Sequence, residues 1–169
     1  MKQILIVVLL ILGYLSYSQE SYFVEGKGYY GYVFSKEHSI WGFPPEIIIG
    51  SVPIGSYRCN LTEENIVQSE KILKKNINSK YVKSCQIWGD KPYINKNTLA
   101  NYNRQYVGYL TPDNEVIVCV YLIIKTNSIG DDKLSEDIIV IYDGGYSYWT
   151  IAINLKTRKV FDMMVNGES

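Results

Sequence analysis

The chain has 169 residues, with 17 Lys plus Arg against 17 Asp plus Glu, one histidine and three cysteines. Balanced charge without a basic stripe argues against a phosphate-tracking surface, so nucleic acid is not an expected partner. A lone histidine and no closely spaced cysteine pair leave no ligand set for zinc, and no metal or other cofactor is expected.

Met1-Lys2-Gln3 carries one positive charge, and Ile4 to Leu12 is an unbroken apolar run of nine residues. Ser16-Tyr17-Ser18 then places small side chains at the spacing a signal peptidase reads. This order reads as a secretory signal peptide, too short to span a bilayer stably. Cleavage between Ser18 and Gln19 is expected, leaving residues 19–169 as a single exported domain in the periplasm or outside the cell. No later apolar stretch is long enough to cross a membrane, so the mature form is expected to have no stable span.

Fourteen of the sixteen tyrosines follow the cleavage point, as suits strands with half-buried faces. Tyr22 to Phe34, rich in aromatics and glycine, reads as a strand or bent ribbon interrupted at Gly26, Gly28 and Gly31. His38 to Tyr57, with Pro44-Pro45, Pro53 and three glycines, reads as a long loop that holds at most a short strand at Ile47-Ile48-Ile49. The main helix starts near Asn60-Leu61-Thr62-Glu63-Glu64, where Asn60 or Thr62 caps the free amides and the two acids meet the positive end of the dipole. Ile66, Leu73 and Ile77 form its apolar stripe, and Lys74-Lys75 suit its far end.

From about residue 102 strands take over. Tyr102 to Leu110 and Glu115 to Lys125 flank the turn Thr111-Pro112-Asp113-Asn114, and Val116 to Ile124 is apolar throughout, as in a central strand covered on both sides. Ser128 to Glu136 reads as a polar loop, Ile138 to Tyr142 as a strand, and Asp143-Gly144-Gly145 as a hairpin turn. Trp149, Ile151 and Ile153 alternate with Tyr148, Thr150 and Ala152; after a turn at Leu155 to Arg158, Phe161, Met163 and Val165 alternate with Asp162 and Met164. The expected fold is α+β, one main helix packed on a curved antiparallel sheet of four to six strands.

Chemistry is sparse. Cys119 lies within an apolar strand and reads as an inert thiol, whereas Cys59 and Cys85 flank the helix in polar surroundings. In an oxidising compartment these two are the expected disulfide pair, contributing about 3 kcal/mol through the unfolded chain. His38 beside Cys59 or Cys85, with Glu37 to orient the ring, is the one conceivable nucleophile–base set, but no established nucleophile motif surrounds either cysteine. A loop histidine with structural cysteines is the simpler reading. Asp131-Asp132 with Glu136-Asp137 lack an EF-hand spacing and read as a solvated acidic loop. Asn60-Leu61-Thr62 reads as a helix start rather than a glycan acceptor. Trp41 with Phe43, and Trp88 with Tyr93, fall in loops and are the candidate contacts for a partner or sugar.

The series Arg104-Gln105-Tyr106-Val107-Gly108-Tyr109, Asp143-Gly144-Gly145, Asn154-Leu155-Lys156-Thr157 and Val165-Asn166-Gly167 resembles small exported proteins of Bacteroidetes-type bacteria that have no assigned activity. The likeness covers about residues 100–168 and implies no catalytic residues. The element order is also similar to cystatin-like and nuclear-transport-factor-like layouts, with a helix wrapped by a curved sheet. The expected function is an exported, non-catalytic binding protein of the inhibitor, immunity or envelope-associated kind. The alternative is a small-ligand or glycan site on the concave side of the sheet, and a hydrolase is a remote third reading.

Overall fold

The computed structural model describes residues 21–40, 52–86, 94–125, 129–141 and 144–165. These form an α+β fold in which one long helix and two short ones pack on an open, curved, seven-stranded sheet. Strands β1 (Ser21–Gly26), β2 (Tyr29–Phe34) and β3 (Tyr57–Cys59) precede helices α1 (Glu63–Asn76) and α2 (Lys80–Ser84). Then come β4 (Tyr102–Leu110), β5 (Val116–Ile124), helix α3 (Asp131–Glu136), β6 (Tyr148–Asn154) and β7 (Lys159–Val165). The sheet order is β1-β2-β4-β5-β6-β7, and β3 also pairs with β4.

The strand count exceeds the expected four to six for two local reasons. The N-terminal ribbon folds back on itself: Gly26 faces Tyr29 across Lys27-Gly28, and Gly28 has a φ of 88°, which a glycine adopts without strain. Where the proline-rich loop ends, Tyr57 to Cys59 pairs with Gly108 to Leu110. The sheet is also not wholly antiparallel, because β2 runs parallel to β4 along Gly31–Phe34 and Arg104–Val107. A parallel pair needs a long crossover, and the chain between them carries both α1 and α2.

Helix α1 begins where the sequence places it. Thr62 Oγ1 accepts from the Asn65 amide at 3.2 Å, and Asn65 Oδ1 accepts from the Thr62 amide at 3.1 Å. Asn60 instead accepts from the Lys36 amide at 2.8 Å, tying the helix start to the end of β2. Ile66, Ile72, Leu73 and Ile77 bury the inner stripe against Val118, Val120 and Leu122 of β5 and Trp149, Ile151 and Ile153 of β6. Each such aliphatic burial is worth roughly 1.5–3 kcal/mol. The opposite sheet face packs Phe34, Val107, Ile117, Tyr121 and Tyr148 under Leu134 of α3 and Ile138. Strand β5 is therefore covered on both sides, as its uninterrupted apolar run requires.

Three local expectations are corrected. Asp131 to Glu136 is a short helix rather than a loop, drawn down by buried Leu134. Residues 138–141 form no strand: Gln105 holds this segment at its start, its Oε1 accepting from the Ile139 amide at 2.9 Å while its Nε2 donates to Leu134 O at 2.8 Å and Asp137 O at 2.7 Å just before it. Gly145 to Ser147 is a 3-10 turn leading into β6 instead of a hairpin; Asp143 lies outside the described residues, as does the strand expected at 47–49.

The alternation in β6 holds, but that in β7 breaks. Ala152 faces Phe161 while Thr150 faces Met164, so Asp162 and Met163 together oppose Ile151. This bulge, with Asp162 at a φ of 49°, turns Phe161 to the α3 side while Val160, Met163 and Val165 stay on the α1 side.

Candidate functional site

Strand alternation collects one exposed aromatic group. Phe23 of β1 pairs with Tyr32 of β2, and Glu25 pairs with Tyr30, so these side chains share the sheet face that α3 partly covers. Ser21 Oγ donates to Ser135 O at 2.6 Å, anchoring the end of α3 on β1, while Phe23 and Glu25 stay exposed among the described residues. Phe23 is 47% exposed, on the edge strand of the sheet. Its ring lies 5.6 Å from Tyr32 at 64° and 6.1 Å from Tyr30 at 47°. Lys125 Nζ sits 4.8 Å from the Tyr30 ring centre, a cation–π contact. Partial burial, with the acids Asp131 and Asp132 of α3, raises the Tyr32 hydroxyl above its ordinary range, and burial with Asp131 does so for Tyr30. Both phenols thus stay protonated donors at neutral pH. The patch is an apolar centre within a charged rim of Glu25, Lys125, Asp131 and Asp132.

Elsewhere polar groups are enclosed. Arg104, wholly buried, donates Nε to Glu70 Oε1 at 3.2 Å and its terminal nitrogens to the carbonyls of Leu99 and Tyr102. Tyr106 Oη donates to the same Glu70 oxygen at 2.9 Å. Arg58 donates to Ser35 O at 2.7 Å and lies 5.8 Å from the Tyr109 ring centre. These groups join α1 to β4 and β2 to β3, so they bind the fold together.

The residues expected to carry chemistry do not assemble. Cys59, Cys85 and Cys119 are free thiols, no two at bonding distance, so the expected Cys59–Cys85 disulfide is not formed. Cys59 lies in β3 on the sheet, whereas Cys85 ends α2 and packs on the α1-side core. Burial raises the Cys59 thiol and pushes Cys119 up to about 12, which suppresses their thiolates. His38 approaches Asp137 Oδ1 with Nε2 at 3.1 Å and lays its ring 4.6 Å from Phe34, so its polar edge meets a carboxylate. Trp41, Phe43, Trp88 and Tyr93, with the Ser18–Gln19 junction, lie outside the described residues.

Sequence reasoning noted the aromatic richness of residues 22–34 but passed over Phe23, Tyr30 and Tyr32 as contacts. The signal was available in the alternation on either side of Lys27-Gly28, once those residues are read as a turn. No helix among the described residues is long and apolar enough to cross a membrane. Set against family models, curated proteins and solved structures, the chain matches none of them.

Proposed function

We propose that this chain is an exported, non-catalytic binding protein that engages a protein partner through Phe23, Tyr30 and Tyr32. The half-exposed Phe23 ring on an edge hairpin, buttressed by two tyrosines, is the observation that carries this reading. Aromatic anchors inside a polar rim dominate protein interfaces. The mutual ring angles of 47° and 64° favour a protein over a glycan, because sugars stack best on aromatic faces presented in a common plane. Both faces of the central strands carry packed side chains, which argues against the alternative of a ligand on the concave side. Export rests on residues 1–18, and N-terminal sequencing of the secreted form should begin at Gln19.

The test is capture from native envelope extract with the mature form as bait, beside Phe23→Ala and Tyr32→Ala. One protein should be recovered stoichiometrically by the parent and lost with both variants, while circular dichroism stays unchanged. Equal recovery by the folded variants overturns the reading. So does a melting point raised by oligosaccharides but by no protein.

A further inference from the structure

We infer that the trough along α1, beside the β6–β7 turn, takes an acidic, partly apolar peptide segment of a protein partner, at a place separate from the hairpin patch. The trough encloses about 540 Å³ and is walled by Glu64, Val67, Lys71, Ile72 and Lys75 of α1 and by Arg158 of the β6–β7 turn. It follows α1 from Glu64 to Asn76, about 18 Å at the helical rise. That length suits a peptide segment better than a compact anion.

Charge selects the occupant. Lys71, Lys75 and Arg158 outnumber the one carboxylate, Glu64, in a chain whose formal net charge is zero. All three cations are exposed, and no ion pair among the described residues uses them. Val67, 40% exposed between them, offers an apolar contact. Arg158 holds a φ of 57°, the left-handed region where a turn ordinarily places glycine. Gln68 fixes this turn against α1, donating Nε2 to Leu155 O at 3.0 Å. A guanidinium held opposite two ammonium groups can take one carboxylate bidentately while the lysines meet others along the segment.

The experiment titrates the mature protein into a labelled synthetic peptide of repeating Glu-Glu-Leu triplets and follows anisotropy. Saturable one-site binding is expected, weakened about tenfold by Lys71→Glu with Lys75→Glu and also weakened by added salt. Arg158→Gly should weaken binding while leaving the fold at least as stable, because glycine relaxes the turn; this variant serves even if the double variant fails to fold. Phe23→Ala should bind normally, which separates this site from the hairpin patch. Absence of saturable binding, equal binding by the folded variants, or equal binding of a Lys-Lys-Leu peptide overturns the inference. Displacement of the peptide by a sulfated oligosaccharide at lower concentration also overturns it, assigning the trough to a carbohydrate polyanion.

Discussion

Arg104 is the residue whose role the sequence conceals most. On β4 it stands between Tyr102 and Tyr106, and a charged residue in an alternating strand ordinarily points to water. Here α1 supplies Glu70 over that face, and the charge is enclosed with its partner at 3.2 Å. Removing one member of a buried pair leaves the other uncompensated, so Glu70→Ala should destabilise by about 3–5 kcal/mol. Tyr106→Phe, which deletes only one hydrogen bond to Glu70, should cost about 1 kcal/mol. Urea-unfolding midpoints rank the two, and equal losses would refute the paired-charge account. Cys119 gives a pH signature. Its folded thiol is pushed from 9.0 to about 12, so the unfolded chain loses this proton first as pH rises. The folded state then binds more protons, and stability falls with rising pH across that window. Cys59, also raised by burial, acts in the same direction. The urea midpoint should begin to drop near pH 9 and go on falling toward about pH 12, and Cys119→Ala should flatten the drop while lowering the plateau. Thiol titration of the denatured protein should count the three free cysteines.

Among elements, the β1–β2 hairpin depends on one close approach. Gly31 pairs with Arg104, and a Cβ at Gly31 would run into the Arg104 carbonyl oxygen, a backbone atom that cannot swing aside. Gly31→Ala should therefore weaken the parallel β2–β4 seam selectively. Hydrogen exchange should speed up at Tyr29 to Phe34 while β5 and β6 stay protected; uniform exchange across the sheet would contradict a local seam. The same strands show what sequence can and cannot convey. Helix α1 was legible because its signals are local: a threonine cap, two acids, an apolar stripe and two lysines within one stretch of chain. Strands β4, β5 and β6 were legible through the proline turn and the strict alternation of Trp149, Ile151 and Ile153. Residues 138–141 read as a strand on composition, yet Gln105, more than thirty positions earlier, accepts from the Ile139 amide and holds the carbonyls of Leu134 and Asp137 before it. The β7 bulge at Asp162 was equally hidden, since the alternation of Phe161, Met163 and Val165 with Asp162 and Met164 looks unbroken in one dimension. The parallel β2–β4 pair is a third such case, decided by where the crossover sets the chain down.

At the scale of the molecule, the sheet separates two surfaces of different chemistry. The Phe23 patch lies on the α3 side and is aromatic, whereas the trough belongs to α1, on the other side, and is cationic. The core between them is the doubly covered β5, with Val118, Val120 and Leu122 toward α1 and Ile117, Cys119 and Tyr121 toward α3. Such close packing resists deformation, so occupancy of one surface is not expected to reach the other through the sheet. Substitutions at sites sharing no partners add nearly independently. Phe23→Ala combined with Lys71→Glu and Lys75→Glu should therefore lose protein capture and peptide binding each to the extent of its own single-site variant. Peptide affinity measured with and without saturating captured partner should agree within about twofold. A shift beyond that would mean that both surfaces serve one continuous interface, with the partner wrapping the edge of the sheet at β1 to reach α1. Crosslinking from Phe23 and from Lys75 would then mark the same polypeptide, whereas two independent surfaces would mark two.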